Sequence, residues 1–244
     1  MSVEIIAEIG QNHNGDMAVA KDLIAAAKEA GADVAKFQVF DAHALFPQVG
    51  NEWFDYNCKA ELSRDQVELL ADECDRLGIE FMASVFDQER LGWVDEIAGV
   101  CRHKIASRSI QDMALIDAII RTGKSVIISL GMWDRVELPD FVSTGSIDYL
   151  YCISDYPTAL ENLQIQIIDF NEYSGFSDHT IGLTAAKTAI VRGARLIEKH
   201  FTLDVDMYGP DHRGSMTPED LKSLVEFKDD FEKIGRNIAP FRDK

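Results

Sequence analysis

Two histidines each close a short apolar run of strand type: His179 ends Ser177-Asp178-His179, and His200 ends Glu198-Lys199-His200 some twenty residues later. If these runs are neighbouring parallel strands of a closed barrel, both imidazoles point into one mouth, which makes a metal site with open positions. Taken singly, each also reads as a hydrogen-bonded core or rim histidine. Two lysines, Lys36 and Lys104, fall in apolar runs of the same kind. A buried ammonium is costly unless an anion or carboxylate meets it. With small hydroxyls at neighbouring strand ends, the pair reads as a phosphate and carboxylate cradle. The other readings are structural ion pairs with Glu8 or Glu198, or a Schiff-base nucleophile at one of the lysines.

The elements that must position these groups follow from periodicity. Short apolar runs at 4–9, 34–39, 80–85, 101–107, 125–130, 148–154, 174–179 and 196–201 read as strands. Amphipathic segments at 16–30, 64–77, 87–98, 112–122, 133–141, 160–172, 182–192 and 217–234 read as helices, several closing at a glycine. Eight such units in 244 residues predict a (β/α)₈ barrel occupying residues 1–244 as a single domain. An open doubly wound sheet is disfavoured, because Asn12-His13-Asn14-Gly15-Asp16 follows the first strand where a glycine-rich dinucleotide loop would stand.

Barrel chemistry sits at the carboxyl ends of strands. That rule selects Glu8, Lys36 with Gln38, Ser84, Lys104 with Ser107, Ser129, Ser154 with Tyr156, Ser177 with His179, and Glu198 with His200. Period-2 alternation gives Lys36 with Gln38, Ser177 with His179, and Glu198 with His200 one shared lumen face each, and it sends Lys199 outward among the helices. Asp211 lies in the loop after the last strand, which also faces the mouth. Trp53, Phe54 and Tyr56 occupy a long loop over 40–62, suited to a lid or to packing on the helices. Asn14-Gly15 reads as a turn.

The net charge of −18 repels nucleic acid and anionic membrane, and any anionic ligand must find a local island of positive charge. Neither a membrane-spanning run nor a signal peptide is expected, which implies a cytoplasmic protein. Cys58, Cys74, Cys101 and Cys152 outline no disulfide framework and read as reduced structural thiols.

Several segments also carry a resemblance. AEIGQNHNG at 7–15, GADVAKFQ at 31–38, GIEFMASVFD at 78–87, HKIAS at 103–107, SLGM at 129–132, SDYP at 154–157, FSDHTIG at 176–182, and IEKHFTLD with GPDH within 197–212 resemble, in this order, the N-acetylneuraminate (sialic acid) synthase family. The resemblance implies a barrel that condenses phosphoenolpyruvate with a sugar aldehyde, releasing phosphate. The acceptor would be N-acetylmannosamine-like or a variant of it. It implies a divalent metal, manganese first with magnesium or cobalt as alternatives, held by His179 and His200. It implies Lys36, Ser84, Lys104, Ser107 and Ser177 as the phosphoenolpyruvate cradle, and Glu8, Gln38, Tyr156 and Asp211 for the sugar and its protons.

Departures from the family pattern bear on the acceptor. Arg108 and Ser109 follow KIAS where a small and then an acidic residue are usual; Leu130 replaces a threonine, Val85 a proline, and Ser154 a frequent asparagine. The sequence closes at Lys244, where the family continues into a small antifreeze-like domain that lends an arginine to the partner subunit. The expectation is therefore a synthase for a different or smaller aldehyde, or one completed by a separate polypeptide or a homodimer using another surface. A Schiff-base aldolase or lyase and a non-catalytic sugar-binding or regulatory barrel are the competing classes.

Overall fold

The computed structural model describes residues 2–236. Eight parallel strands close into one barrel in sequence order. They are β1 (Glu4–Gly10), β2 (Val34–Val39), β3 (Glu80–Val85), β4 (Arg102–Ile105), β5 (Ser125–Ser129), β6 (Ile147–Tyr151), β7 (Gly175–Asp178) and β8 (Leu196–His200). The helices are α1 (Met17–Glu29), α2 (Ala42–Leu45), α3 (Phe54–Ala60), α4 (Arg64–Leu77), α5 (Gln88–Asp95), α6 (Met113–Arg121), α7 (Thr184–Val191) and α8 (Pro218–Arg236). Side-chain caps start them locally. Asp16, Asp87 and Asp112 accept from first-turn amides of α1, α5 and α6, and Ser63 with Gln66 forms a capping box on α4. Among the described residues no helix is long and apolar enough to cross a membrane.

Two expected helices are not formed. Residues 133–141 are irregular apart from a bend at 136–137, with Pro139 inside the segment, the Trp133 indole donating to the Glu137 carbonyl at 2.8 Å and the Tyr149 hydroxyl donating to the Pro139 carbonyl at 2.6 Å. Residues 160–172 make one 3₁₀ turn (Leu160–Asn162) and then further turns. Ile165, Ile167 and Ile168 there bring β-branched crowding, and Asp169 caps its own turn by accepting from the Asn171 amide at 2.9 Å. The 40–62 loop contains α2 and α3 instead of being irregular.

The lumen is built in layers two residues apart along each strand, as the pleat requires. At the amino-terminal end Arg102 bridges Glu4 and Glu80, each at 2.6 Å. Above it Ile6, Val34, Met82, Ile127, Leu150 and Leu196 form an apolar plug separate from the large core between strands and helices. The next positions along the strands are Glu8, Lys36, Ser84, Lys104, Ser129 and Glu198, all buried. Register sets Glu8 beside Lys36, Ser84 beside Lys104, and Ser177 beside Glu198. A bulge after Glu8 ends in Gly10 at φ 55, where a Cβ would stand 3.2 Å from both the Glu8 carboxylate and the Gln38 amide. Glycine is needed there to keep both side chains aimed into the mouth.

Candidate functional site

Four ionisable side chains from β1, β2, β4 and β8 meet above the apolar plug. Lys36 Nζ lies 2.5 Å from Glu8 Oε2 and 3.4 Å from Glu198 Oε2, and donates to Ser84 Oγ at 3.1 Å. Lys104 Nζ donates to Ser129 Oγ at 2.7 Å and to the Ile105 carbonyl at 3.0 Å, and stands 3.7 Å from Glu198 Oε1. Ser177 Oγ donates to Glu198 Oε1 at 2.8 Å, and Gln38 Nε2 to Glu8 Oε1 at 2.9 Å.

The electrostatics of the two lysines differ. Burial presses Lys36 toward its neutral form, but the charges of Glu198 and Glu8 outweigh it and the pKa rises. At Lys104 burial wins over the more distant carboxylates, the charge of Lys36 adds to it, and the pKa falls. Burial opposes the Glu198 carboxylate too, yet Lys104, Lys36 and the Ser177 hydroxyl together hold it down at about 2. Lys104 is thus a buried cation whose nearest partners are a hydroxyl and a carbonyl, able to accept an anion without first releasing a tight carboxylate.

The two histidines stand beside this cluster with ring centroids 6.0 Å apart. His179 Nδ1 donates to the Ile153 carbonyl at 2.7 Å, and burial, reinforced by His200, pushes its pKa down to about 3. The neutral ring therefore keeps the Nε2 lone pair available on the site side, near Ser177 Oγ at 3.4 Å. His200 Nδ1 is buried with no hydrogen-bond partner among the described residues. Available ring nitrogens on adjacent strands suit a divalent cation, and no group of three or more His, Cys, Asp or Glu among the described residues would complete its shell. Substrate oxygens and water would have to fill it. His212, by contrast, is spent: its ring nitrogens meet the Thr202 hydroxyl at 2.6 Å and Asn14 Oδ1 at 3.1 Å.

All ten of Glu8, Lys36, Gln38, Ser84, Lys104, Ser107, Tyr156, Ser177, His179 and His200 line one cavity of about 50 Å³. It shares Gln38, Ser107, Tyr156 and His200 with an outer cavity of about 380 Å³, which Ser154, Asp211, Trp53 and Arg108 also line. Every sequence-selected residue therefore reaches the mouth. The Tyr156 ring lies 4.1 Å from that of His179, tilted by 37°, and burial raises its phenol pKa. Ser154 Oγ is buried without a hydrogen-bond partner among the described residues. Trp53 and Tyr56 pack against Tyr208 of the last loop, and the Tyr56 hydroxyl lies 2.8 Å from the Gln11 carbonyl oxygen and 2.7 Å from Asn14 Oδ1, with one proton to share between them. These rings tie three mouth loops together.

Two residues were undervalued from sequence. Glu198 is selected from the sequence as a strand-end candidate and an ion-pair partner but is given no role in the site, although it contacts both lysines. Cys152 was read as structural, yet its Sγ lies 2.9 Å from Ser107 Oγ, and the Gly131 amide donates to the same hydroxyl at 3.0 Å. The outward Lys199 is explained: it pairs with Asp178 at 3.1 Å and donates to the Thr180 carbonyl at 2.5 Å, both side chains fully buried between barrel and helices.

Comparison with known proteins gives a consistent picture. Residues 23–238 match the model of the NeuB family. The N,N'-diacetyllegionaminic acid synthase of Legionella pneumophila is 35% identical over 96% of this chain and 73% of its own length. The N-acetylneuraminate-9-phosphate synthase of Drosophila melanogaster is 34% identical over 92% of the chain and 66% of its own length. The crystal structure of the N-acetylneuraminic acid synthetase of Leptospira borgpetersenii, a citrate complex, superposes with a TM-score of 0.88 at 30% identity, covering 100% of this chain and 88% of that one.

Proposed function

The chain belongs to the NeuB family, and from that membership and the charged mouth of its barrel we propose that it condenses phosphoenolpyruvate with a sugar aldehyde. One observation carries the reading: two buried lysines with contrasting pairing, Lys36 and Lys104, are flanked by hydroxyls and set beside two available imidazoles. Phosphoenolpyruvate brings a carboxylate and a phosphate a few ångströms apart. Two fixed ammonium groups with Ser84, Ser107, Ser129 and Ser177 are a matching donor set.

The reaction forms a bond between the methylene carbon of the enol phosphate and the aldehyde carbon. The aldehyde oxygen takes a proton, water adds to C2, and phosphate departs, leaving a 2-keto-3-deoxy acid three carbons longer than the aldehyde. Lys36 and Lys104 hold the anionic ends of phosphoenolpyruvate and stay charged against the leaving phosphate. Glu8, kept in place by Gln38 and Lys36, is the carboxylate positioned to orient the water, while Gln38, Ser154, Tyr156 and Asp211 hold the sugar. A divalent cation on His179 and His200, manganese or in its place magnesium or cobalt, supplies Lewis-acid polarisation of the aldehyde oxygen when bound.

The test is phosphate release from phosphoenolpyruvate with manganese and a panel of aldoses and N-acyl amino sugars, with His179→Ala and a chelator as controls. Aldehyde-dependent release abolished by both supports the reading; no release with any acceptor refutes it. A second reading draws on the lowered pKa of Lys104, which suits a Schiff-base lyase. Borohydride trapping of a keto acid on Lys104 distinguishes it.

A further inference from the structure

We propose that Cys152 is a positioning residue for the phosphoenolpyruvate cradle: its thiol donates to Ser107 Oγ and so turns the Ser107 hydroxyl hydrogen into the cavity, toward the bound anion. The inference rests on the synthase reading above and deepens it, since it names a group that acts on the substrate only through Ser107.

The arrangement is built where three neighbouring strands end. Ser107 follows β4, Gly131 follows β5 and Cys152 follows β6. The Leu130 amide donates to the Leu150 carbonyl at 3.0 Å, which carries the β5–β6 pairing on to Gly131 and draws its backbone against Cys152. A Cβ at Gly131 would stand 2.6 Å from Cys152 Sγ, 2.6 Å from Ser154 Oγ and 3.1 Å from Ser107 Oγ. Glycine is what lets these three short side chains converge on one backbone amide.

Donor and acceptor roles follow from counting hydrogens. A serine oxygen has two lone pairs and one hydrogen. The Gly131 amide, which can only donate, takes one lone pair of Ser107 Oγ at 3.0 Å. Cys152 Sγ lies 2.9 Å from the same oxygen, and Ser107 Oγ is the one acceptor that the buried thiol meets among the described residues. Burial pushes the thiol pKa up, against the pull of Ser107, Lys104 and the Gly131 amide, so the sulfur keeps a proton to donate. Were the hydroxyl to donate instead, a buried S–H would be left without an acceptor and no Ser107 hydrogen would face a ligand. With the thiol donating, both lone pairs are taken and the hydroxyl hydrogen is left for the mouth, where Ser107 lines the inner and the outer cavity. A hydrogen given to a phosphate or carboxylate oxygen makes a stronger bond than one given to a neutral sulfur, so ligand and thiol select the same arrangement.

The experiment is calorimetric titration of phosphoenolpyruvate into the full chain, with manganese present and no aldehyde. It compares the wild type, Cys152→Ala, Cys152→Ser, Ser107→Ala and the Ser107→Ala, Cys152→Ala double variant, with a thermal melt of each to confirm the fold. Ser107→Ala is expected to raise the Kd about tenfold and Cys152→Ala about three- to tenfold, while Cys152→Ser stays within about twofold of the wild type because a hydroxyl donates in place of the thiol. In the Ser107→Ala background, Cys152→Ala should add less than about twofold, because its effect passes through the hydroxyl already removed. Cys152→Val, which fills the space without a donor, takes the place of Cys152→Ala should that variant not fold. An unchanged Kd in Cys152→Ala, a Cys152→Ser variant as weak as Cys152→Ala, or losses that multiply in the double variant overturns this inference and leaves the synthase reading standing. Absence of phosphoenolpyruvate binding by the wild type takes down both.

Discussion

Neighbouring residues of β7 and β8 feed two buried ion networks that face opposite ways. On the outer face Asp178 and Lys199 form a closed pair: the carboxylate also accepts from the Thr180 amide and hydroxyl, both at 2.8 Å, and the ammonium is finished by a carbonyl. On the inner face Ser177 and Glu198 belong to a cluster of two lysines and two carboxylates, in which Lys104 reaches its nearest carboxylate only at 3.7 Å. The outer pair is complete and joins the strands. The inner cluster has donor capacity left for a ligand. Burial of charge alone therefore does not mark a site; incomplete pairing beside a cavity does.

Replacing one lysine from each network separates the two roles most sharply. Lys104→Met is expected to lower turnover of phosphoenolpyruvate by about a thousandfold, the scale of losing a fixed charge from a desolvated site. Its melting temperature should not fall, because burial already opposes that charge in the folded state. Phosphate release and a thermal melt check both halves. Lys199→Met strands Asp178 and should cost about 3–5 kcal/mol in denaturant unfolding, with kcat changed less than about threefold where the variant remains folded. Adding Asp178→Asn should recover part of that stability.

Acid separates the networks further. Glu198 is held at about 2 against an ordinary value of 4.5, so the folded state binds its proton less readily than the unfolded chain. Its stabilisation is complete above pH 4.5 and is lost as pH falls through about 2. Urea midpoints measured at pH 6, 4 and 3 should decline less steeply in Glu198→Gln than in the wild type. The smallest effect is expected at Ser129→Ala, which removes the 2.7 Å partner of Lys104. A rise of about three- to tenfold in the KM for phosphoenolpyruvate with little change in melting is the expected outcome.

Much of this was legible in the sequence because a strand's alternation is rigid. Fixing Ile6, Val34 and Met82 inward fixes Glu8, Lys36 and Ser84 inward two residues later. Chain order then set Ser177 beside Glu198. What parity could not give was partnership. Lys199 was correctly sent outward, but its match to Asp178 depends on the β7–β8 register. Glu198 was placed on the right face without its central position between the lysines being visible. The two missing helices were misread because apolar spacing at 133–141 and 160–172 resembles a helical stripe, while Pro139 and the isoleucines near 167 favour bends and turns.

The most direct test of the central claim is to supply phosphoenolpyruvate and one accepted aldehyde and to quantify both products in the same reaction. The account predicts phosphate and a 2-keto-3-deoxy acid in equal amounts, the acid three carbons longer than the aldehyde. Phosphate without that acid, or a keto acid trapped on Lys104 by borohydride, would contradict it.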